Sequence, residues 1–282
     1  MTLHERLAEG RARLAAAGIR PEEAAVDVDL YARTILGWDR ARLLAAQREP
    51  APPQLEPRFS ASIARRARRE PSAYITGVRE FWGLEFAVTP AVLIPRPETE
   101  FLVEEALALA RGLDRPRIAD VGTGSGCVAV SIAHGCPACL VIATDISPAA
   151  LDVARANAAR HGVTDRVAFV ETTYLEGVAG PFDIIAANPP YVKDGDKPVL
   201  GADVRHEPDV ALFGGPEGLR DIAGVLDAAA EKLDRGGWLV MEFGYGQEEH
   251  VEALVAARPA IALVRVREDL QGIPRTAIIH RR

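Results

Sequence analysis

The sequence predicts an α/β protein, a mostly parallel sheet wrapped by helices, preceded by a small all-helical domain. Three observations carry this. From Arg117 onward, short apolar runs of strand length alternate with stretches of helix length. Residues 1–75 show helical spacing alone. The first run of the alternating part, ending at Val121, passes directly into a glycine-rich loop that opens a helix.

Leu3, Leu7 and Leu14 lie at helical spacing, Gly18 breaks the pattern, and Pro21-Glu22-Glu23 opens a second helix. A third segment runs around Arg40 to Gln47. Pro50, Pro52, Pro53 and Pro57 then punctuate the chain before a helix from Phe59 to Arg69. Short amphipathic helices hide their apolar stripes only by packing together, so residues 1–75 form a small bundle. The cluster Arg65, Arg66, Arg68, Arg69 reads as a solvated helix face, with a docking patch for an acidic partner as the alternative. Residues 76–95 read as a β-hairpin linker, with strands from Arg79 to Trp82 and Leu84 to Val88 around Gly83. The second domain then spans 96–282. Pro97 suits the first position of its first helix, Glu98 and Glu100 favour the positive end, and the helix continues to Ala110.

Strands follow near 117–121, 139–145, 166–171, 182–188, 237–244, 261–269 and 275–281, with helices near 126–134, 148–161, 218–234 and 247–257. The last two strands have no helix between them, so one runs antiparallel.

Composition excludes several classes. No apolar run is long enough to span a bilayer, and the first residues lack a signal-peptide core. Three cysteines provide no disulfide framework, which fits a reducing cytoplasm. Cys136 and Cys139 sit between a helix end and a strand start and read as structural. His161, His206, His250 and His280 have no metal-binding spacing. The charge of −7 is uneven: residues 1–75 carry 13 Lys and Arg against 10 Asp and Glu, the remainder 20 against 30. An acidic second domain argues against nonspecific nucleic-acid binding.

Chemistry concentrates at two strand ends. Gly122-Thr123-Gly124-Ser125-Gly126 turns sharply and lets a ligand approach the backbone, and Asp145 ends the next strand about 20 residues on, where an acid can accept from both ribose hydroxyls. Ser147 and Pro148 cap and start the following helix. Asn188-Pro189-Pro190-Tyr191 ends the strand at 182–188. Its prolines have no N–H, Asn188 adds a carbonyl acceptor, and Tyr191 adds a flat face, so the tetrad suits a planar group bearing –NH2. The glycine loop with its acid fits S-adenosylmethionine as well as NAD. The tetrad favours the former, because it offers no hydride-transfer partner but would hold an amine nucleophile. Glu242 ends the fifth strand, placed either to face the site or to satisfy a buried loop.

Together these stretches resemble the amino-methyltransferases. Gly77 to Gly83, Ile94 to Glu100, Glu207-Pro208, Gly214 to Leu219 and Asp269 to Arg275 narrow the resemblance, over essentially the whole chain, to the release-factor glutamine methyltransferases. It implies a Rossmann-like, seven-stranded class I methyltransferase domain with S-adenosylmethionine as donor, bound at Gly122–Gly126, Asp145 and Asn188. It implies a glutamine pocket at Asn188, Pro189, Pro190 and Tyr191, with Asn188 and Pro189 as the positioning acceptors. The implied partner is a class-1 peptide chain release factor, methylated at its Gly-Gly-Gln glutamine and recognised by residues 1–75. A nucleic-acid exocyclic-amine methyltransferase using the same tetrad is the alternative. One departure stands out: where the family carries an acidic or aromatic residue near the adenine, this chain reads Glu171-Thr172-Thr173-Tyr174, and Thr173 and Tyr174 are the candidates for that place. Lys193 to Pro198 reads as a mobile lid.

Overall fold

A computed structural model describes residues 1–282. The chain divides into two units, Met1–Gly77 with Gly201–His206, and Val78–Leu200 with Glu207–Arg282. The smaller unit contains α1 (Leu3–Ala16), α2 (Pro21–Leu36), α3 (Arg40–Ala45), α4 (Arg58–Ala67) and α5 (Ser72–Thr76). Thr2 and Glu5 form a reciprocal capping box that starts α1. Leu3, Leu7 and Leu14 point into one core with Val28, Tyr31 and Phe59. Gly10 lets α1 and α4 close up, since a Cβ there would lie 3.0 Å from the Phe59 ring.

The arginine cluster is not the solvated face the sequence predicts. Arg66 is 2% exposed. Its Nε donates to Asp27 at 2.6 Å, its Nη1 to Asp203 at 2.8 Å, and its Nη2 pairs with Glu23. Arg69 Nε takes the other Asp203 oxygen at 2.8 Å, and Arg65 pairs with Glu70. Arg68 alone of the four is exposed. The partners of Arg66 and Arg69 come from α2 and from the returning segment at 201–206, and no local pattern announces them.

The larger unit opens with β1 (Val78–Phe81) and β2 (Leu84–Ala87), an antiparallel hairpin. Next come α6 (Glu100–Ala110), β3 (Arg117–Val121), α7 (Cys127–Gly135), β4 (Leu140–Asp145), α8 (Pro148–Arg160), β5 (Val167–Glu171), β6 (Phe182–Ala187), α9 (Asp209–Leu212), α10 (Arg220–Lys232), β7 (Leu233–Glu242), α11 (Glu248–Ala256), β8 (Ile261–Glu268) and β9 (Pro274–Arg281). The hairpin falls within this unit. Buried Asn157 of α8 accepts from Ala87 N–H at 2.7 Å and donates to the Ala87 and Ser125 carbonyls.

The sheet has the order β5-β4-β3-β6-β7-β9-β8. β5, β4, β3, β6 and β7 run parallel; β9 runs antiparallel to both β7 and β8. Both faces are covered, so the strands are apolar without alternation. On β6, Ile184 and Ala186 join one core with α6 and α7, while Ile185 and Ala187 join another with α10 and α11. β7 begins earlier than the sequence predicts, because Leu233 pairs with Phe182 ahead of an irregularity in the ladder. Cys136 and Cys139 form a disulfide, which corrects the expectation that the cysteines are unpaired, while Cys127 is free and buried. Of the stretch Lys193 to Pro198, all but Lys193 lie in a 3₁₀ helix, Asp194–Val199, with ion pairs from Lys193 to Glu217 and from Lys197 to Asp209. No helix is long and apolar enough to cross a membrane.

Removing Arg66 leaves the buried Asp27 carboxylate without its charged partner, a loss that costs roughly 3–5 kcal/mol at buried pairs. Arg66→Ala therefore unfolds the helical unit at markedly lower denaturant than the wild type. Coincident unfolding curves of the two proteins, followed by circular dichroism, would show the network to be dispensable.

Candidate active site

Sheet register builds the site. Thr144, Val121, Ala187 and Met241 are paired neighbours on β4, β3, β6 and β7. The residue that follows each of these is Asp145, Gly122, Asn188 or Glu242, so these four form one row at the carboxyl ends of the strands. Strand order reverses at β3, with β4 on one side and β6 on the other, which opens a crevice in that row.

Gly122, Gly124 and Gly126 have φ of 73°, 54° and 79°, which side-chain-bearing residues rarely adopt. A Cβ at Gly122 or Gly124 would meet nothing within 4 Å, so the backbone of the loop stands open to a ligand, whereas at Gly126 it would come 3.0 Å from Ala154 of α8. Asp145 latches the loop. One carboxylate oxygen accepts from Gly124 N–H and the other from Ser147 N–H, each at 2.9 Å. Burial raises its pKa, against those N–H bonds, which lower it. Asp120 braces the loop from inside, accepting from Thr123 Oγ1 at 2.6 Å and Ala129 N–H at 3.0 Å through one oxygen. Burial pushes its carboxyl from 3.8 up to about 6.

Distant segments clamp the tetrad. A Cβ on Gly214 would sit 2.4 Å from the Pro190 carbonyl, and one on Gly218 2.3 Å from that of Tyr191. Gln247 Nε2 donates to the Tyr191 carbonyl at 3.0 Å, and Gly214 N–H to that of Val192 at 2.9 Å. Asn188 Nδ2 donates to Thr99 Oγ1 at 3.0 Å, which turns Oδ1 the other way. No hydrogen bond of the chain reaches Asn188 Oδ1 or the Pro189 carbonyl. Two acceptors of neighbouring residues are thus left unused by the chain, on a loop without N–H groups at Pro189 and Pro190.

Asp145, residues 122–125 of the glycine loop, and Asn188 to Pro190 all line one cavity of about 220 Å³, while Gly126, expected to bind the donor, does not line it. Nor does Tyr191: its hydroxyl donates to Glu242 Oε1 at 3.2 Å. Both Thr173 and Tyr174 line the cavity, and Tyr174 is spoken for, with φ of 49°, a hydroxyl that donates to Asp221 at 2.9 Å, and a carbonyl that accepts from Thr144. Arg96 and Arg220 also line it, but Glu207 and Asp221 respectively pair with them. Glu207 reaches back to Ile94 N–H at 3.0 Å as well, which joins two motifs far apart in sequence. The cavity is therefore acidic, with no uncommitted cation for a phosphate. Thr99 was not legible as a site residue: it is a buried threonine whose partners, Asn188 and Glu242, lie 89 and 143 residues away. Its only signal was its place within the Ile94 to Glu100 stretch.

Residues 5–77 match the family model described as PrmC N-terminal domain, and residues 98–204 the one described as Methyltransferase small domain. A release factor glutamine methyltransferase from Moorella thermoacetica is 43% identical, covering 100% of this chain and 99% of its own. A protein of the same name from Deinococcus radiodurans is 40% identical, covering 96% of each. In fold the chain is similar to a methyltransferase from Pyrococcus furiosus, with a TM-score of 0.50 at 18% identity, over 71% of this chain and 89% of that one.

The raised carboxyl of Asp120 has a consequence for stability. The fold favours its protonated form, so its contribution is complete below pH 3.8 and is lost as pH rises through about 6. Asp120→Asn keeps an acceptor for Thr123 and Ala129 but cannot ionise. From about pH 4 to about pH 7 the wild type should lose up to roughly 3 kcal/mol that the variant does not. Denaturant titrations across that range test this; parallel pH profiles would count against it.

Proposed function

The chain belongs to the release factor glutamine methyltransferases, and from that premise we propose that it transfers a methyl group from S-adenosylmethionine to the side-chain amide nitrogen, N5, of the Gly-Gly-Gln glutamine in class-1 peptide chain release factors. The observation that carries this reading is the pair of open acceptors, Asn188 Oδ1 and the Pro189 carbonyl, at the crevice opposite the glycine loop.

The residues fit the donor. The loop backbone is open at Gly122 and Gly124, Asp145 is at hand for hydroxyls, and the acidic walls suit a cation better than a pyrophosphate. When bound, the donor supplies a methyl carbon already activated on a sulfonium. What remains for the chain is alignment. A carboxamide nitrogen is a poor nucleophile, because its lone pair is delocalised into the carbonyl. Asn188 Oδ1 and the Pro189 carbonyl each take one N–H of the substrate amide, which fixes the direction of the nitrogen. Positioning of this kind is worth up to roughly 7–11 kcal/mol. Tyr191 contributes from outside the cavity wall, through Glu242. The helical unit supplies none of the residues lining the cavity, which supports a role in recognising the partner.

Asp145→Ala should weaken S-adenosylmethionine binding by roughly 1.5–3 kcal/mol, since it loses a charge-assisted acceptor and also the latch on Gly124. Calorimetry reads this directly, and unchanged affinity would mean that the donor is held elsewhere. Asn188→Ala should lower turnover on the order of a hundredfold while donor affinity falls much less. The wild type should methylate a folded release factor and leave DNA and RNA unmodified. Methyl transfer to nucleic acid, with none to the release factor, would overturn the proposed substrate.

A further inference from the structure

We infer that Glu242 is a positioning residue for methyl transfer, dictating through Thr99 which end of the Asn188 amide faces the substrate. This rests on the reading of the site as one that methylates an amide nitrogen.

Glu242 is buried at the end of β7 and does not line the cavity. Its Oε2 accepts from Thr99 Oγ1 at 2.7 Å, and its Oε1 from the Tyr191 hydroxyl at 3.2 Å. An ionised carboxylate can only accept. The single hydroxyl proton of Thr99 is thereby committed to Glu242, and what Thr99 offers Asn188 is a lone pair. Asn188 must answer with its –NH2, as it does at 3.0 Å. Oδ1 is then left as the acceptor the substrate amine needs. Without Glu242 the Thr99 proton is free to turn to Oδ1. The amide then rotates and sets its own –NH2 against the –NH2 of the substrate, donor against donor. Two hydroxyls and an amide are in this way polarised in one direction by one buried charge, each through an atom that has no other choice.

The groups that bear on Glu242 are Thr99 and Tyr191, which stabilise the charge, Glu98, which opposes it, and Arg275, which favours it. Cys127 also feels it, with its own thiol held neutral by burial. Burial dominates and holds Glu242 at about 7. Ionised above that value, it serves both hydroxyls as an acceptor. Protonated below it, it has a proton to give and no longer fixes the direction of the relay. Turnover should therefore fall as pH drops through about 7.

The test compares wild type, Glu242→Met, Glu242→Gln, Thr99→Val and Thr99→Ser on a full-length release factor, with kcat, KM, donor affinity and thermal unfolding measured for each. Glu242→Met and Thr99→Val should lower kcat on the order of 10–100-fold, as loss of a partner that orients a site ligand does elsewhere, with donor affinity unchanged. Thr99→Ser keeps the hydroxyl and should recover most of that loss, whereas Glu242→Gln, which like the protonated carboxyl has hydrogens to give, should stay at the low rate. Glu242→Gln should also lack the acid limb near pH 7. Wild-type kcat in folded Glu242→Met and Thr99→Val overturns the inference, as does a Thr99→Ser no better than Thr99→Val, or an acid limb that persists in Glu242→Gln. The Thr99 pair decides the matter if Glu242→Met does not fold. A wild type that methylates no release factor overturns the reading of the site instead, and the inference with it.

Discussion

The register of β3 between β4 and β6 is the constraint from which the site follows. Side chains on a strand alternate between faces, so a slip of one residue in β6 would carry Ile184 and Ala186 out of one core and into the other. Both faces are buried, and such a slip is costly on each. The register that satisfies the two cores is also the one that sets Asp145, Gly122, Asn188 and Glu242 in a row. Packing far from the chemistry thus decides where the acceptors stand. The parts outside the sheet only refine this, Gly214 and Gly218 by letting the chain press on the tetrad, Glu207 by holding Ile94 and Arg96.

The two units handle buried carboxylates in opposite ways. In the helical unit Asp27 is paired with Arg66, so its charge is compensated in place. Around the cavity, Asp120 and Glu242 receive only hydroxyl and N–H donors, and burial pushes both upward, to about 6 and about 7. Uncompensated acids of this kind cost stability, and they collect where a function requires the field they create. At Glu242 that field acts on hydroxyl protons. At Asp120 and Asp145 it makes an acidic wall, suited to the cationic donor proposed for the site.

What could be read from the sequence was local. Strand runs, the loop at Gly122–Gly126, Asp145 and the tetrad are each contiguous, and each has a chemistry that survives without knowledge of the fold. Periodicity recovered nearly every element for the same reason. The failures share a cause as well. Arg66 reads as one of four solvated arginines until α2 and Asp203 are brought to it, from 39 and 137 residues away. A count of three cysteines offers no disulfide framework, yet local geometry brings Cys136 and Cys139 together. The Tyr191 hydroxyl goes to Glu242, a partner 51 residues away that its place in the tetrad does not announce. Thr99 has no signal beyond its place in the Ile94 to Glu100 stretch, and Glu242 reads only as a strand-end acid with two possible roles, since a hydroxyl and a carboxylate become informative only once it is known whose proton goes where.

That question of protons explains why an asparagine, and not an aspartate, opens the tetrad. An aspartate at 188 would offer an acceptor whichever way it turned, with no need of a relay to orient it. Its charge, however, would stand beside Thr99, whose only proton already belongs to Glu242. Two carboxylates would then share one hydroxyl in a buried place, and one of them would take up a proton to relieve the repulsion. A protonated carboxyl presents a donor as readily as an acceptor, so the certainty gained from the charge would be lost. Asparagine avoids the repulsion because it is neutral, but an amide has two unlike ends and can face either way. The neutral acceptor and the buried charge behind it therefore belong together: the first is workable only because the second removes its ambiguity.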